Sequence, residues 1–393
     1  MAEVSRRLAG AYGHEVCVST STAYTTRPFR ERGEAQMAPG ETIDSGVRVR
    51  RHRPDPTVSR AVRRIQHRAY RLHLPGSGAL RTAYDGPVSA GMAADALREP
   101  ADIIGATSFP LLHMQYAVWA AKARALPVAL WGAAHPEDGW GFDRAPLRWA
   151  LRAADAYICN TAYEREWAES LGARPERLRI ISPGVDMDRV TTGGGSDVRE
   201  RLGIPTGDVV VGYVGQMGRH KGLDDLIAAM PDVWARDPET HLVLAGGSTD
   251  FVPSLAGLIA ELPPCSSRLV HTLFDFQPDE KPAIFDALDI FASPSGYESF
   301  GLTFCEAWAN AVPVVGCRQG AVPAVVDDGE NGILVGYKNP AELAGALSEL
   351  IDSSALRRRL GEAGRAKTKA QFTWDRSAAA LDALYRELAG AVA

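Results

Sequence analysis

The feature that most constrains this chain is a rhythm. A short, β-prone apolar run is followed by a stretch of helical spacing, again and again along 393 residues. Candidate strands are Glu15–Thr20, Val47–Arg50, Asp102–Gly105, Val128–Trp131, Ala156–Cys159 and Arg179–Ile181. A second series runs Val209–Gly215, His241–Ala245, Arg268–His271, Ile290–Ser293, Val312–Gly316 and Ile333–Val335. Most are continuous apolar runs without alternation, the pattern of parallel strands covered by helices on both faces. Strand, helix and parallel strand make a βαβ unit, so two series predict two doubly wound α/β domains. The length fits two domains as well.

The break falls in SPGVDMDRVTTGGGSDVRE, residues 182–200, where Pro183, Gly184 and the run Gly193–Gly195 punctuate a stretch without apolar periodicity. The reading is an N-terminal domain over residues 1–182, a linker over 183–200 and a C-terminal domain over 201–370. A last segment, 371–393, holds a helix over Trp374–Leu388 that returns to the first domain. A doubly wound domain usually opens strand, glycine turn, helix. This chain opens in the helix: AEVSRRLAGAYG leads to a C-cap at Gly13 and then to a strand, so the first strand of the N-terminal domain is expected to be missing.

Charge narrows the partners. The net charge of −5 argues against a globally basic nucleic-acid binder. Residues 47–81 are an exception, with ten Arg and one acid, Asp55, for a local charge of +9. Within them Val58, Ala61, Val62, Ile65, Ala69 and Leu72 recur at helical spacing, with arginines on the other face. Such a helix either lies on an anionic membrane surface or packs its stripe on its own domain. Five cysteines, at 17, 159, 265, 305 and 317, form no C-x-x-C pair, which suggests neither a disulfide framework nor a zinc site and fits a reducing cytoplasm. The start does not read as a signal peptide. The longest apolar-leaning stretch, Leu111–Ala134, is broken by His113, Lys122, Arg124 and Pro127 and reads as helix, turn, strand.

The chemistry concentrates in SPSGYESFGLTFCEAWANAVPVVG, residues 293–316. It follows an apolar strand, turns through Ser293–Tyr297 and enters a helix near Gly301. Glu298 therefore sits at the mouth between a strand C-terminus and a helix N-terminus. The backbone amides of Ser299, Phe300, Gly301 and Leu302 are unsatisfied donors suited to hydroxyls or phosphate. Glu306 lies inside the helix, so the two carboxylates can reach different ends of one ligand, and carboxylates pair with vicinal hydroxyls of a sugar or ribose.

This segment resembles the Glu–seven–Glu signature of glycosyltransferase family 4, retaining enzymes of the GT-B fold. GHEVCVST, LRAADAYICNTAYEREWAESLG, IISPGVDMD, GYVGQMGRHKGLDDLIAAM and VVDDGENGILV resemble other stretches of that family in the same order, over roughly residues 5–375. The resemblance implies two Rossmann-like domains facing a cleft. It implies a nucleotide sugar held by the second and an acceptor by the first. It also places Lys221, after the loop Gly215–Gly218, at the family's phosphate-binding lysine. Lysine there is a compact cation suited to a diphosphate. Where the family usually has arginine, this chain has Gln216, and Arg219 is the nearest substitute. His135 follows the strand Val128–Trp131, whose C-terminal end faces the ligand crevice of an open α/β sheet. The family often carries a histidine there, beside the reacting sugar. Gly246 ends a strand in a bare-backbone turn that lets a nucleotide approach closely. Phe274 falls in a loop that resembles the family's base-contacting loop.

Rival motifs are lacking: no G-x-G-x-x-G follows a strand and no G-x-x-x-x-G-K-[ST] exists, which argues against a nicotinamide enzyme and a P-loop NTPase. Asp186–Met187–Asp188 is a D-x-D, but in the linker, so no metal site is assigned. The expectation is a metal-independent, retaining hexosyltransferase of the cytoplasm, in polysaccharide biosynthesis. It uses a UDP-, GDP- or ADP-sugar, no cofactor and no nucleic acid. Its acceptor is a glycan, a lipid-linked or a small molecule. Catalysis falls to Glu298, Lys221 and His135. Donor binding falls to Gly215, Gln216, Arg219, Lys221, Gly246, Phe274, Glu298, Ser299–Leu302 and Glu306. The alternative is a GT-B scaffold that binds nucleotide or a partner without turnover.

Overall fold

The computed structural model describes residues 2–34 and 36–391. The chain divides into two compact units, one of residues 1–182 with 377–393 and one of residues 183–376.

The first unit opens with the helix Ala2–Tyr12, ended by Gly13 at φ 71°. Its strands form two sheets. β1 (Cys17–Ser21), β2 (Gly40–Asp44) and β3 (Val47–His52) are ordered β1-β3-β2, with β1 parallel and β2 antiparallel to β3. β4 (Ile104–Thr107), β5 (Val128–Trp131), β6 (Ala156–Cys159) and β7 (Leu178–Ile180) are all parallel, in chain order. A doubly wound sheet of order 3-2-1-4-5 places its first strand between the second and fourth. Here the ladder is interrupted at that place, and β1 and β4 each edge their own sheet among the described residues.

β2 was not anticipated. Its sequence GETID is polar and its residues are mostly exposed, so it carries no apolar signal. The turn makes it: Ser45 and Gly46 both have positive φ, 51° and 83°, which suits a two-residue hairpin with right-handed strand twist. The stretch Leu111–Ala134 is helix His113–Arg124, a turn with Ala125 at φ 54°, and β5. The basic segment forms the helix Thr57–Arg71. The last helix runs Trp374–Gly390, and from Ser377 on it belongs to this unit. There Asp382 meets His14 at 2.6 Å, Glu387 meets Arg179 at 2.8 Å and the Ser377 hydroxyl donates to the Ser182 carbonyl at 2.7 Å.

The second unit carries one six-stranded parallel sheet. β8 (Val210–Val214), β9 (His241–Gly246), β10 (Val270–Phe274), β11 (Ile290–Ser293), β12 (Val314–Cys317) and β13 (Gly332–Val335) are ordered β10-β9-β8-β11-β12-β13. Successive side chains point to opposite faces. Val211, Tyr213, Leu242 and Leu244 join one core cluster, while Val210, Val214, Val243 and Ala245 join another. Both faces are therefore dry, which is why these strands read as unbroken apolar runs. Each fully buried aliphatic or aromatic side chain contributes about 1.5–3 kcal/mol. β10 lies two to three residues later than Arg268–His271, because the loop keeps the polar Arg268 and the strand starts at Val270. No helix among the described residues is long and apolar enough to cross a membrane.

Candidate functional site

The site is built at the C-terminal edge of the second unit's sheet, where parallel strands hand over to helices. β8 ends in Gly215–Gly218, followed by a 3-10 turn over Arg219–Lys221 and the helix Leu223–Arg236. Gly222 holds φ 70°, and a Cβ there would lie 2.6 Å from the Pro294 carbonyl oxygen, so glycine is needed twice over. That contact seats the loop after β8 on the loop after β11. The Ser295 hydroxyl donates to the His220 carbonyl at 3.3 Å.

Three loops are laced together beside it. Gly215 N donates to the Ala245 carbonyl at 2.9 Å, Met217 N to Gly247 at 3.3 Å and Asp275 N to Gly246 at 3.1 Å. Asp275 accepts from Ser248 N at 2.8 Å and from its hydroxyl at 2.7 Å, bonds that hold its carboxyl below the usual carboxylate range. A Cβ on Gly246 would fall 1.6 Å from the Gly215 carbonyl oxygen, so the two strand ends touch backbone to backbone.

On this frame Lys221 donates to Glu298 Oε1 at 2.7 Å. Both side chains are mostly covered, 15% and 13% exposed. Glu298 comes from the loop before the helix Leu302–Ala309, whose N-cap is Gly301 at φ 88°. Burial, and then the charge of Glu298, push the Tyr213 phenol up; its hydroxyl donates to the Gln216 carbonyl at 2.9 Å. Gln216 and Arg219 are exposed, and the Arg219 guanidinium stacks over Phe251, 5.0 Å from the ring centroid. Phe300 is buried against Phe372, with centroids 5.1 Å apart, so its side chain serves the core and its amide is what it offers a ligand. Ser299 is half-buried, Leu302 exposed, and Phe274 packs partly against the core.

Glu306 has a partner that the sequence reading missed. Lys281 donates to both its carboxylate oxygens, each at 2.6 Å. Lys281 lies 25 positions earlier and opens the short helix Lys281–Asp286, so no local spacing links the two. It sits 5.8 Å from the Phe285 ring centroid.

His135 belongs to the first unit, in the loop after β5. Its ring meets Phe142 edge-on at 5.6 Å. The loop is pinned by a buried carboxylate the sequence reading also passed over. Glu164 accepts from Ala134 N at 3.0 Å, Asn160 N at 2.8 Å and the Tyr157 hydroxyl at 2.9 Å. Burial pushes its pKa up to about 7, although those three bonds favour the ionised form. The signal was available: Thr161 caps the helix Ala162–Ser170 by accepting from Glu164 N at 3.3 Å, a T-x-x-E box start. Asp138 caps the turn Gly139–Phe142, accepting from Gly141 N at 2.9 Å. Asp186 stands at the N-cap position of the turn Met187–Val190, without a side-chain capping bond. Among the described residues no three His, Cys, Asp or Glu side chains gather as a metal-ligand set.

Known proteins agree with this architecture. The family model described as glycosyltransferase family 4 matches residues 1–189, and that described as glycosyl transferases group 1 matches residues 196–367. The chain is 38% identical over 245 residues to a D-inositol 3-phosphate glycosyltransferase of Corynebacterium jeikeium, covering 60% of this chain and 58% of that one. It is 37% identical over 246 residues to the protein of the same name in Corynebacterium aurimucosum, covering 60% and 57%. The chain thus spans somewhat more than half the length of these curated relatives. Among solved structures, sucrose-phosphate synthase of Thermosynechococcus elongatus superposes with a TM-score of 0.72 at 21% identity, over 99% of this chain and 92% of that one. Anabaena HepE in complex with UDP and glucose superposes with a TM-score of 0.67 at 21% identity, over 87% and 86%. Two α/β units of mostly parallel strands, matched nearly end to end by the two family models, place the chain among the family 4 glycosyltransferases of GT-B fold.

Proposed function

We propose that the chain transfers a hexosyl group from a nucleoside diphosphate sugar to an acceptor hydroxyl, with retention at the anomeric carbon. The observation that carries this reading is the covered Lys221–Glu298 pair at the C-terminal edge of the second unit's sheet. An ammonium has three donors, so Lys221 can keep Glu298 and still serve a diphosphate as negative charge develops on it. Glu298, bound to a cation, is a weak nucleophile and a good acceptor for sugar hydroxyls. Glu306 has lone pairs left for ribose hydroxyls while Lys281 holds its orientation. With no free carboxylate nucleophile assigned, the acceptor oxygen bonds to the anomeric carbon on the face the phosphate leaves. The acceptor's proton passes to the departing phosphate oxygen. Lys221, Arg219 and the amides of Ser299–Leu302 supply the counter-charge, so no metal is required in this reading. His135 positions the sugar or acceptor.

Calorimetric titration of UDP, GDP and ADP and their glucose or mannose conjugates tests it, with Lys221→Ala and Glu306→Ala alongside. Each lost charge-assisted bond is worth about 1.5–3 kcal/mol, roughly tenfold to a hundredfold in Kd. One nucleotide should bind the wild type and be lost in both variants. No binding to any of them would leave a non-catalytic scaffold, and an inverted product anomer by NMR would refute retention.

The acceptor side has its own observation. On the helix Thr57–Arg71, Val58, Ile65 and the following Leu72 are spaced by seven and are exposed, Ile65 by 59% and Leu72 by 69%. Arg60, Arg64, Arg68 and Arg71 flank that stripe and are exposed too. This supports peripheral contact with an anionic leaflet, and with it a cytoplasmic face and a lipid-linked acceptor. Co-sedimentation with anionic vesicles that survives charge reversal at Arg63, Arg64 and Arg68 would remove it.

A further inference from the structure

The pair Lys281–Glu306 offers a ligand more than a fixed carboxylate. Lys281 stands at the end of the loop that leaves β10 beyond Phe274, and it opens the helix Lys281–Asp286, whose Ile284 and Phe285 are buried. Glu306 stands on the helix Leu302–Ala309, between the buried Cys305 and Ala307. Two elements far apart in the chain thus bring one cation to one carboxylate. The Lys281 ammonium lies 2.6 Å from each Glu306 oxygen, so it straddles the carboxylate instead of favouring one side. Lys221, by contrast, meets Oε1 of Glu298. Lys281 is 33% exposed and Glu306 15%, so the cation is the more accessible partner. Neighbouring Glu280 is engaged elsewhere, by Arg201 at 2.9 Å and by Gln277 N at 2.8 Å.

An ammonium has three N–H donors, and a carboxylate has about four lone-pair sites. Two of the Lys281 donors go to Glu306, and the third makes no hydrogen bond among the described residues. A hydroxyl group both donates and accepts. A ribose hydroxyl that gives its proton to a Glu306 oxygen is bonded to an atom that Lys281 Nζ also touches. Its own oxygen can then accept the third N–H while the ion pair stays closed. Bonds to an ionised partner are the strong ones, and here a single hydroxyl would make two.

We propose that Lys281 is a specificity-determining residue for the donor's nucleoside: it straddles Glu306 and gives its third N–H to the ribose hydroxyl that Glu306 accepts from, so that the site takes a ribonucleotide and rejects a deoxyribonucleotide. The inference rests on the reading of Glu306 as the ribose ligand. It adds to that reading a second charged partner on the same hydroxyl, where the reading itself needs the carboxylate alone. Lys281 and the hydroxyl then act as a coupled pair, because removing either one removes the same bond.

The test is a cycle between side chain and ligand. Calorimetry on the full chain takes UDP, GDP and ADP, with the 2′-deoxy and 3′-deoxy form of each, in wild type, Lys281→Met and Lys281→Gln, with melting temperature measured in parallel. A charge-assisted bond is worth roughly tenfold or more in Kd, so two of them on one hydroxyl amount to about a hundredfold or more. For the nucleotide that binds, wild type should lose about that much affinity with one of the two deoxy forms. In Lys281→Met one of the two bonds is already gone, so the ratio between deoxy and ribo forms should shrink by about tenfold or more. Lys281→Gln removes the charge but keeps a polar side chain, and it carries the same comparison if Lys281→Met melts too low to titrate. A Lys281 that only props up the fold would weaken both forms alike and leave the ratio unchanged. That result overturns the proposal while the donor reading stands, and so does a wild type that binds both deoxy forms as tightly as the ribonucleotide. Binding of no nucleotide at all ends the transferase reading and this inference with it.

Discussion

In the six-stranded sheet of residues 183–376, β8, β9, β11 and β12 are buried along their whole length, whereas β1 and β2 of the first unit have no buried residue. The first unit's main core cluster draws on residues 104–178, so the three-stranded sheet contributes nothing to it. That sheet buries only Val47, near Val4 and Leu8 of the first helix, and charge adds to this small core. Arg48 meets Glu99 at 2.7 Å and Glu15 at 3.0 Å, Arg50 meets Glu41 at 2.5 Å and also Glu99, and His52 meets Asp95 at 2.6 Å. One unit is held by packing, which salt and pH barely touch; part of the other is held by ion pairs, which both weaken. The proposed donor site stands on the first kind of frame.

The sharpest way to break the contrast is Gly246→Ala. A methyl 1.6 Å from the Gly215 oxygen forces the two strand ends apart. The expected result is a loss of more than about 4 kcal/mol of stability, with nucleotide binding abolished, by thermal melts and calorimetry. Next comes a matched pair. Phe304→Ala, in a fully buried site against Phe291 and Trp308, should cost about 3–5 kcal/mol, while Val18→Ala on half-buried β1 should cost less than about 1 kcal/mol. Equal costs in chemical denaturation would erase the distinction.

A pH series sharpens it further. Burial raises the Glu164 pKa to about 7, so the folded unit binds a proton that the unfolded chain has already released. Stability of the β5–β6 region should therefore be greatest below about pH 4.5 on this account and fall as pH rises to about 7. The swing is at most about 3 kcal/mol. Glu164→Gln should flatten it. Asp95 works the other way: burial opposes, but bonds from His52 and Ser19 hold its pKa down, so the stability it lends is present above about pH 4 and lost as acid is added. Hydrogen exchange by mass spectrometry reads both regions in one experiment. The smallest effect is that of Arg50→Met, seen as faster exchange in β2 and β3 and shrinking when salt is raised from 0.1 to 1 M.

The same contrast governs how much was legible in the sequence. β5, β6 and β11 were placed residue for residue, because strands buried on both faces write themselves as apolar runs. β2 left no trace, since an exposed edge strand is specified by its turn and by the charges across from it. At the site, Glu298, Lys221 and Gly246 were readable because strand ends, glycine turns and helix starts are local. Lys281 and Glu164 were not, for their partners are set by tertiary placement: Glu306 is 25 positions from Lys281, and Ala134 is 30 from Glu164.

The backbone contact between Gly215 and Gly246 also sets the routes by which such a site can change. Neither strand end has room for a side chain, so a lineage drifting toward another nucleotide could not do so by filling that corner. Variation is left to positions around it that already face water: Gln216, Arg219 and the rim near Phe274. A library aimed at donor preference would do best to fix the two glycines and randomise those three, since the frame that makes the corner rigid also confines novelty to its margin.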